Sequence, residues 1–128
     1  MSRLEHVNVT VPDPTKTAKM LVDLFGWHIR WEGVARNDGH TIHVGTDDSY
    51  VALYTGADRG RDQTPPANSY LQRGGLNHLG IVVGDLAAVE AKVTAMGYTA
   101  HSHGDYEPGR RFYFNDADDI EFEVIAYD

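Results

Sequence analysis

Two segments of the chain alternate apolar and polar residues with a period of two, as β-strands do when one face is buried. In residues 4–11 the valines occupy one face, and the other carries His6, Asn8 and Thr10. In residues 76–83 the same alternation places His78 on the polar face, in the position of His6. Both segments are therefore predicted to be strands with one buried face.

The two segments belong to a longer internal repeat. Residues 4–13 align with residues 76–85, and Phe25-Gly26-Trp27 aligns with Met96-Gly97-Tyr98. A repeat in register over this length predicts two copies of one structural unit.

Each unit is predicted to continue with one helix and three further strands. The first helix has Thr15 as its expected N-cap, and the second has Asp85. Gly26 and Gly97 stand where left-handed residues end helices. The expected apolar stripes are Ala18, Leu21, Val22 and Phe25, then Leu86, Val89, Val93 and Met96. The further strands are expected at about 27–32, 40–45 and 49–55, then at 98–103, 110–115 and 120–127.

The predicted class is α+β, with two repeated βαβββ units forming a half-open, barrel-like cup within one domain, residues 1–128. The first unit is expected at about 1–56 and the second at about 76–128, with a linker at about 57–75 that includes Arg59-Gly60-Arg61 and Pro65-Pro66. The polar face of each first strand would then line the concave side.

The composition of the chain limits the classes of partner that it can be expected to bind. The chain of 128 residues carries 11 basic and 19 acidic residues, a net charge of −8, and no cysteine. This balance disfavours nucleic acid and anionic membranes, and it excludes disulfides and thiolate ligands. The first residues do not form a signal peptide, and no apolar run approaches a membrane span, so a cytoplasmic location is expected.

Histidines and carboxylates predict a metal site. His6 and His78 occupy equivalent positions of the repeat, while Glu121 and Glu123 face the same side of the last predicted strand. An inward carboxylate is costly unless it is paired or binds a cation, and two imidazoles with one carboxylate leave open positions for substrate. His28, His101 and His103 are interpreted as ordinary surface or core residues.

The chain resembles the vicinal oxygen chelate superfamily, which includes glyoxalases, extradiol dioxygenases and bleomycin- and fosfomycin-resistance proteins. The resemblance rests on His6, His78 and the acidic stretch 116–123, with Ala117 and Asp119 replacing the proline and glycine typical of the family's turn. It implies that His6, His78 and Glu123, rather than Glu121, bind one divalent ion: Fe, Mn, Ni or Zn.

One position departs from the glyoxalase pattern. Ala52 stands where glyoxalase I-like members usually place a second glutamate, so four-ligand glyoxalase chemistry is disfavoured. Three-ligand members include extradiol dioxygenases and fosfomycin-modifying transferases. His43, in the preceding predicted strand, is an alternative source of a fourth ligand.

Other inward positions are candidates for catalysis and substrate binding. Tyr113 matches a tyrosine of dioxygenases and fosfomycin-resistance proteins, and a core tyrosine is the alternative interpretation. His43 is an acid/base candidate. The resemblance to the superfamily implies that Glu123 alternates between ligand and base. The expected substrate-binding residues are Asn8, Thr10, Tyr50, Tyr54 and Arg111.

Two functions stay open at this point. The first is a metal-dependent enzyme of lyase, dioxygenase, isomerase or transferase type that acts on a small oxygen-chelating substrate. The second is a metal-free protein that sequesters a drug or another small molecule, as bleomycin-resistance proteins do. A homodimer is expected in either case.

Overall fold

The computed structural model describes residues 1–58, 64 and 66–127. The chain divides into two compact units, Met1–Gln63 and Thr64–Asp128. Arg59-Gly60-Arg61 and Pro65, part of the predicted linker, lie outside the described residues. The linker prediction therefore stays a prediction.

Each unit contains one helix and one four-stranded sheet, which confirms the α+β class and the two repeated modules. The first unit contains β1 His6–Thr10, α1 Pro14–Phe25, β2 His28–Val34, β3 His40–Gly45 and β4 Tyr50–Thr55. The second unit contains β5 Leu79–Val82, α2 Leu86–Ala95, β6 His101–Tyr106, β7 Gly109–Asn115 and β8 Glu121–Ala126.

The two sheets have the same topology. Sheet A has the strand order β1-β4-β3-β2, and sheet B has the order β5-β8-β7-β6. In each sheet the first and fourth strands of the unit are parallel, and the other pairs are antiparallel. The first strand of each unit is thus an edge strand beside the last.

One face of each sheet is covered by the helix of its own unit. In sheet A, Ile42, Val44 and Leu53 are buried together with Leu21 and Leu24 of α1. In sheet B the corresponding core contains Phe112, Phe114, Phe122 and Val124, with Val89 and Val93 of α2. The opposite face of each sheet is called its open face below, and it carries the polar positions of the alternation.

The ends of α1 are set by three residues. Asp13 is the N-cap, because its carboxylate accepts a hydrogen bond from the Lys16 N–H at 3.2 Å, and Pro14 begins the helix without needing a donor. The prediction of Thr15 as the cap was wrong for this reason. Gly26 ends the helix at φ 69°, as expected for a left-handed C-terminal residue.

The second helix matches its prediction more closely at the start than at the end. Asp85 caps α2 through the Ala88 N–H at 3.0 Å. Met96 is exposed, so the predicted stripe ends at Val93. Gly97 has φ 92°, as expected for a left-handed residue at a helix end. The bonds from the Tyr98 N–H to the Val93 carbonyl and from the Gly97 N–H to the Thr94 carbonyl close the last turn. Strand β6 begins at His101, three residues later than predicted.

Neither helix is long and apolar enough to cross a membrane, and the described residues contain no other helix that could do so.

Candidate functional site

The open face of sheet B brings four predicted site residues together. His78 lies directly before β5, Glu123 lies in β8, and Arg111 and Tyr113 lie in β7. Tyr113 pairs with Glu123 across the strands, and its ring meets the His78 ring edge-on at 5.4 Å between centroids. The alternation that buries Phe112 and Phe114 therefore places Tyr113 on the face expected from the sequence.

The turn before β8 positions Glu123. The Asp116 carboxylate is buried and accepts hydrogen bonds from the N–H groups of Asp118 at 2.9 Å and Ile120 at 3.0 Å. Burial raises the pKa of Asp116, while these backbone hydrogen bonds oppose the rise. Asp119 has φ 61°, a left-handed conformation that glycine adopts most readily. The acidic turn therefore keeps the conformation that a glycine would favour.

Glu123 contacts both His78 and Arg111. One carboxylate oxygen, Oε2, lies 3.2 Å from His78 Nε2, and the other, Oε1, lies 3.0 Å from Arg111 Nη1. The side chains of Glu123 and Arg111 are 13% and 11% exposed, so this contact is largely shielded from water. Arg111 Nη2 also donates to the Gly109 carbonyl, and the guanidinium stacks on Tyr106.

The other side of the His78 ring is held by Tyr70 and Glu121. The Tyr70 hydroxyl donates to the Glu121 carboxylate, and His78 Nδ1 lies 3.2 Å from the same hydroxyl oxygen. An ionised carboxylate can only accept, so the tyrosine hydrogen points to Glu121 and Nδ1–H donates to the tyrosine oxygen. In the neutral ring the lone pair is then on Nε2, which faces Glu123.

Sequence reasoning missed Tyr70. This residue lies in a short 3₁₀ turn, Ser69–Leu71, within the segment predicted to be a linker. The hydrogen bond to Glu121 raises its pKa to about 12, with a smaller contribution from burial. The inward position of Glu121 was visible in the alternation, but its partner was not.

His101 is half-buried and hydrogen-bonded, in agreement with its interpretation as an ordinary core histidine, and it lies beside Tyr113. Its ring stacks beside that of Tyr113 at 6.2 Å, and Nε2 lies 2.8 Å from the Asn115 side-chain oxygen. His28 and His103 are exposed and pair with Asp47 and Glu90 respectively, as expected of surface histidines.

In sheet A, His6 has a carboxylate partner of its own. His6 Nδ1 lies 2.9 Å from Glu5 Oε1, and this hydrogen bond is the largest cause of the lowered pKa of Glu5. The ring stacks on Tyr50 at 4.8 Å. Nδ1–H donation to Glu5 leaves Nε2 as the lone-pair nitrogen of the neutral ring, as at His78.

His43 continues this row of rings. It stacks on Tyr50 at 4.4 Å and lies 5.2 Å from Trp31. Burial lowers the pKa of His43, and the nearby charges of His6 and Arg30 lower it further. His43 pairs with Ala52, just as Tyr113 pairs with Glu123, so the register makes His43 the counterpart of Tyr113.

The remaining predicted residues of the first unit also take definite positions. Ala52 pairs with Asn8, just as Glu123 pairs with Gly80, so Ala52 is the structural counterpart of Glu123. Asn8 and Thr10 are exposed on the open face. The Tyr54 hydroxyl donates to the Arg36 carbonyl at 2.9 Å, which gives this tyrosine a structural partner.

The donor set fits a divalent ion in its chemistry. Two imidazole nitrogens and one largely buried carboxylate are ligands that Fe, Mn, Ni and Zn accept. His6 belongs to the first unit, whereas His78 and Glu123 belong to the second. Within the described part of the chain, no three His, Asp or Glu side chains are grouped closely enough to form a metal cluster.

Comparison with known proteins gives the family and the fold. Residues 3–124 match the family model of the Glyoxalase/Bleomycin resistance protein/Dioxygenase superfamily. No curated protein matches the chain significantly.

Three solved structures illustrate the likeness. A glyoxylase/bleomycin resistance protein/dioxygenase domain from Frankia sp. EAN1pec is 20% identical, with TM-score 0.81 and coverage of 100% of this chain and 99% of that one. The fosfomycin resistance protein FosX from Listeria monocytogenes, complexed with Mn(II) and sulfate, is 19% identical, with TM-score 0.71 and coverage of 100% and 94%. A glyoxalase family protein from Enterococcus faecalis is 18% identical, with TM-score 0.70 and coverage of 98% and 96%. At these identities the likeness shows the fold.

Proposed function

The chain belongs to the Glyoxalase/Bleomycin resistance protein/Dioxygenase superfamily, and we propose that it is a metal-dependent enzyme acting on a small oxygen-chelating substrate. The proposed ligands are His6, His78 and Glu123. The reaction would be of dioxygenase, isomerase or transferase type. The Mn(II) bound to FosX supports manganese as one candidate, beside Fe, Ni and Zn.

A single observation carries this proposal. Tyr70 and Glu121 occupy Nδ1 of His78, so the lone pair on Nε2 faces the Glu123 carboxylate at 3.2 Å. Two acceptors at this distance repel unless a cation, either a proton or a metal ion, lies between them. Glu5 orients His6 in the equivalent way, and histidine ligands of metals commonly have such a partner on the second nitrogen.

The residues around the proposed ligands have separate roles. A bound ion would act as a Lewis acid that stabilises negative charge on a substrate oxygen. The pKa of Tyr113 is raised by burial and then by the Glu123 carboxylate, so its hydroxyl keeps its proton and can donate a hydrogen bond to that oxygen. The lowered pKa of His43 keeps this ring neutral at pH 7, the form that accepts a proton.

Tyr70→Phe tests whether the hydrogen bond at His78 Nδ1 orients this histidine for metal binding. Loss of the hydroxyl should release the His78 ring and lower the affinity for Mn(II) by about 10- to 100-fold, the usual effect of removing such a partner. The affinity would be measured by isothermal titration calorimetry. Tyr54→Phe is the matched control, because it also removes one hydroxyl hydrogen bond, the one to Arg36. Equal affinities in the two variants would contradict the role of Tyr70.

A second candidate function is supported by the ion pair between Arg111 and Glu123. This contact, at 3.0 Å, gives the carboxylate a cationic partner without any metal. In that case the protein would bind a small molecule and sequester it without chemistry. Absence of metal binding under all conditions, with retained ligand binding, would favour this function.

We extend the proposal to a homodimer. The edge strand β2 carries three apolar side chains that are exposed within one chain: Ile29, Trp31 and Val34. Burial of such side chains against a second copy would be favourable. Size-exclusion chromatography with light scattering should therefore give about twice the chain mass of 14.2 kDa. A single monomeric species would contradict this part of the proposal.

A further inference from the structure

A cavity of about 420 Å³ opens on sheet B beside Glu123. Its walls come from β5, β7 and β8 and from the residues that flank β7 and β8. They are formed by Gly80, Val82, Pro108, Arg111, Glu123, Ile125 and Tyr127. All of them belong to the second unit, and the volume suits a small organic molecule.

Glu123 and the apolar pair of Val82 and Ile125 lie at different levels of the strands. Arg111 pairs with Ile125, but its guanidinium reaches back to Glu123. Gly80 pairs with Glu123, and Val82 pairs with Ile125, so the apolar pair lies two residues, roughly 7 Å, further along. Pro108 and Tyr127 add to the apolar part. Val82 and Tyr127 are 63% and 59% exposed, so a ligand body placed here would cover apolar surface that now faces water.

The polar end of the cavity has little capacity for an anion. Arg111 is the cation among the lining residues, and two of its nitrogens are already bound, Nη1 to Glu123 and Nη2 to the Gly109 carbonyl. Its guanidinium also stacks on Tyr106 at 4.9 Å. A phosphonate or carboxylate would have to compete with Glu123 for this group, whereas an uncharged hydroxyl or carbonyl would not.

Gly80 keeps the space beside Glu123 open. A Cβ added at Gly80 would meet no atom within 4 Å, and its φ is not in the left-handed region. The backbone therefore does not require glycine at this position, and a larger side chain would occupy the cavity rather than disturb the core.

We propose that this cavity binds a small molecule with an aromatic or branched aliphatic body and an uncharged head group that carries hydroxyl or carbonyl oxygens. The body contacts Val82, Ile125 and Tyr127, and the head lies at Glu123. This inference rests on the proposed function in one respect, because the head is the group that would approach the metal. The contacts of the body do not depend on metal.

A series of 4-alkylphenols tests the inference. These phenols are uncharged at pH 7, since phenolic hydroxyls ionise near pH 10. Binding of 4-methyl-, 4-ethyl- and 4-propylphenol to the full chain would be measured by NMR titration, once after chelation of metals and once with Mn(II). Each added methylene should tighten binding by about fourfold. In the metal-free protein, phenylphosphonate should bind at least about tenfold more weakly than 4-ethylphenol.

Gly80→Leu and Gly84→Leu form a matched pair of variants. Both add the same side chain at a glycine where an added Cβ meets nothing within 4 Å, but only Gly80 lines the cavity. Gly80→Leu should weaken 4-propylphenol binding by at least about tenfold, while Gly84→Leu should bind as the wild type does. Thermal unfolding of both variants would establish that they fold.

The outcomes separate this inference from the metal proposal. Phenol binding that depends on chain length and on Gly80, in a protein that takes up no metal, would support the cavity and contradict the metal site. Metal binding without phenol binding would overturn the cavity inference alone. The same conclusion would follow if the affinity did not change with alkyl chain length, if phenylphosphonate bound the metal-free protein more tightly than 4-ethylphenol, or if the two leucine variants bound 4-propylphenol equally. A second protein copy in the cavity would appear as absence of phenol binding and would also overturn it.

Discussion

Glu123→Gln is expected to lower the affinity of the protein for a divalent metal ion by roughly a hundredfold or more. The substitution keeps the size of the side chain but removes the one negative charge in the proposed ligand set. A charge–charge interaction at a metal–ligand distance of about 2 Å contributes several kcal/mol even at an effective dielectric constant of about 20. The amide oxygen of glutamine replaces only part of it. Isothermal titration calorimetry with Mn(II) would measure the change.

Glu90→Gln is the control for this variant. Glu90 also pairs with a histidine of the same unit, His103, at 3.1 Å, but neither residue belongs to the proposed site. Its affinity should equal that of the wild type. Circular dichroism should show that Glu123→Gln stays folded although Arg111 loses its anionic partner. Wild-type affinity in a folded Glu123→Gln protein would exclude Glu123 as a ligand.

Phe114→Ala is expected to lower the free energy of unfolding by about 3–5 kcal/mol. Phe114 is fully buried and stacks on Phe122, with ring centroids 5.0 Å apart, and on Tyr98 at 5.8 Å. Truncation would leave a cavity between sheet B and α2 that rigid neighbours cannot fill. Urea denaturation followed by circular dichroism would measure the loss.

Tyr106→Ala is the matched control for the core. Tyr106 is 64% exposed and contacts the guanidinium of Arg111, so its removal should cost less than about 1 kcal/mol. A Phe114→Ala protein as stable as Tyr106→Ala would show that the core of sheet B is not packed as described.

The repeat was the most informative feature of the sequence, because it predicted two units with the same order of elements. Alternation of period two then assigned Phe112, Tyr113 and Phe114 to their faces, since successive side chains of a strand point to opposite sides. Glycines 26 and 97 marked the helix ends because glycine readily adopts the left-handed backbone conformation that ends a helix.

Local competition explains where prediction failed. Thr15 was a reasonable cap by residue type, but Pro14 needs no donor and favours the first helical position, which moves the cap to Asp13. Gly97 and Tyr98 form the hydrogen-bonded turn that ends α2, so residue 98 is not available to begin β6 as predicted. The pattern of residue types alone does not show which of several neighbouring residues begins or ends a helix or strand.

Some residues of the site could not be predicted because they contact it from distant segments of the chain. Tyr70 has no periodic neighbours, yet its hydroxyl reaches both His78 and Glu121. The pairing of Arg111 with Glu123 depends on the register of β7 and β8, which fixes Tyr113 opposite Glu123. The sequence pattern proposed His6 and His78 as ligands, and the family resemblance added Glu123. The residues that orient these side chains required three-dimensional structure.

Metal content of the purified protein, measured by inductively coupled plasma mass spectrometry, is the direct test of the proposed metal site. The wild type would be compared with His6→Ala and His78→Ala, and His28→Ala would serve as the control for an exposed histidine outside the proposed site. We expect about one equivalent of Fe, Mn, Ni or Zn in the wild type and in His28→Ala, and loss of this metal in the other two variants. Wild-type protein without metal even after reconstitution, or unchanged metal content in His78→Ala, would contradict the proposed site.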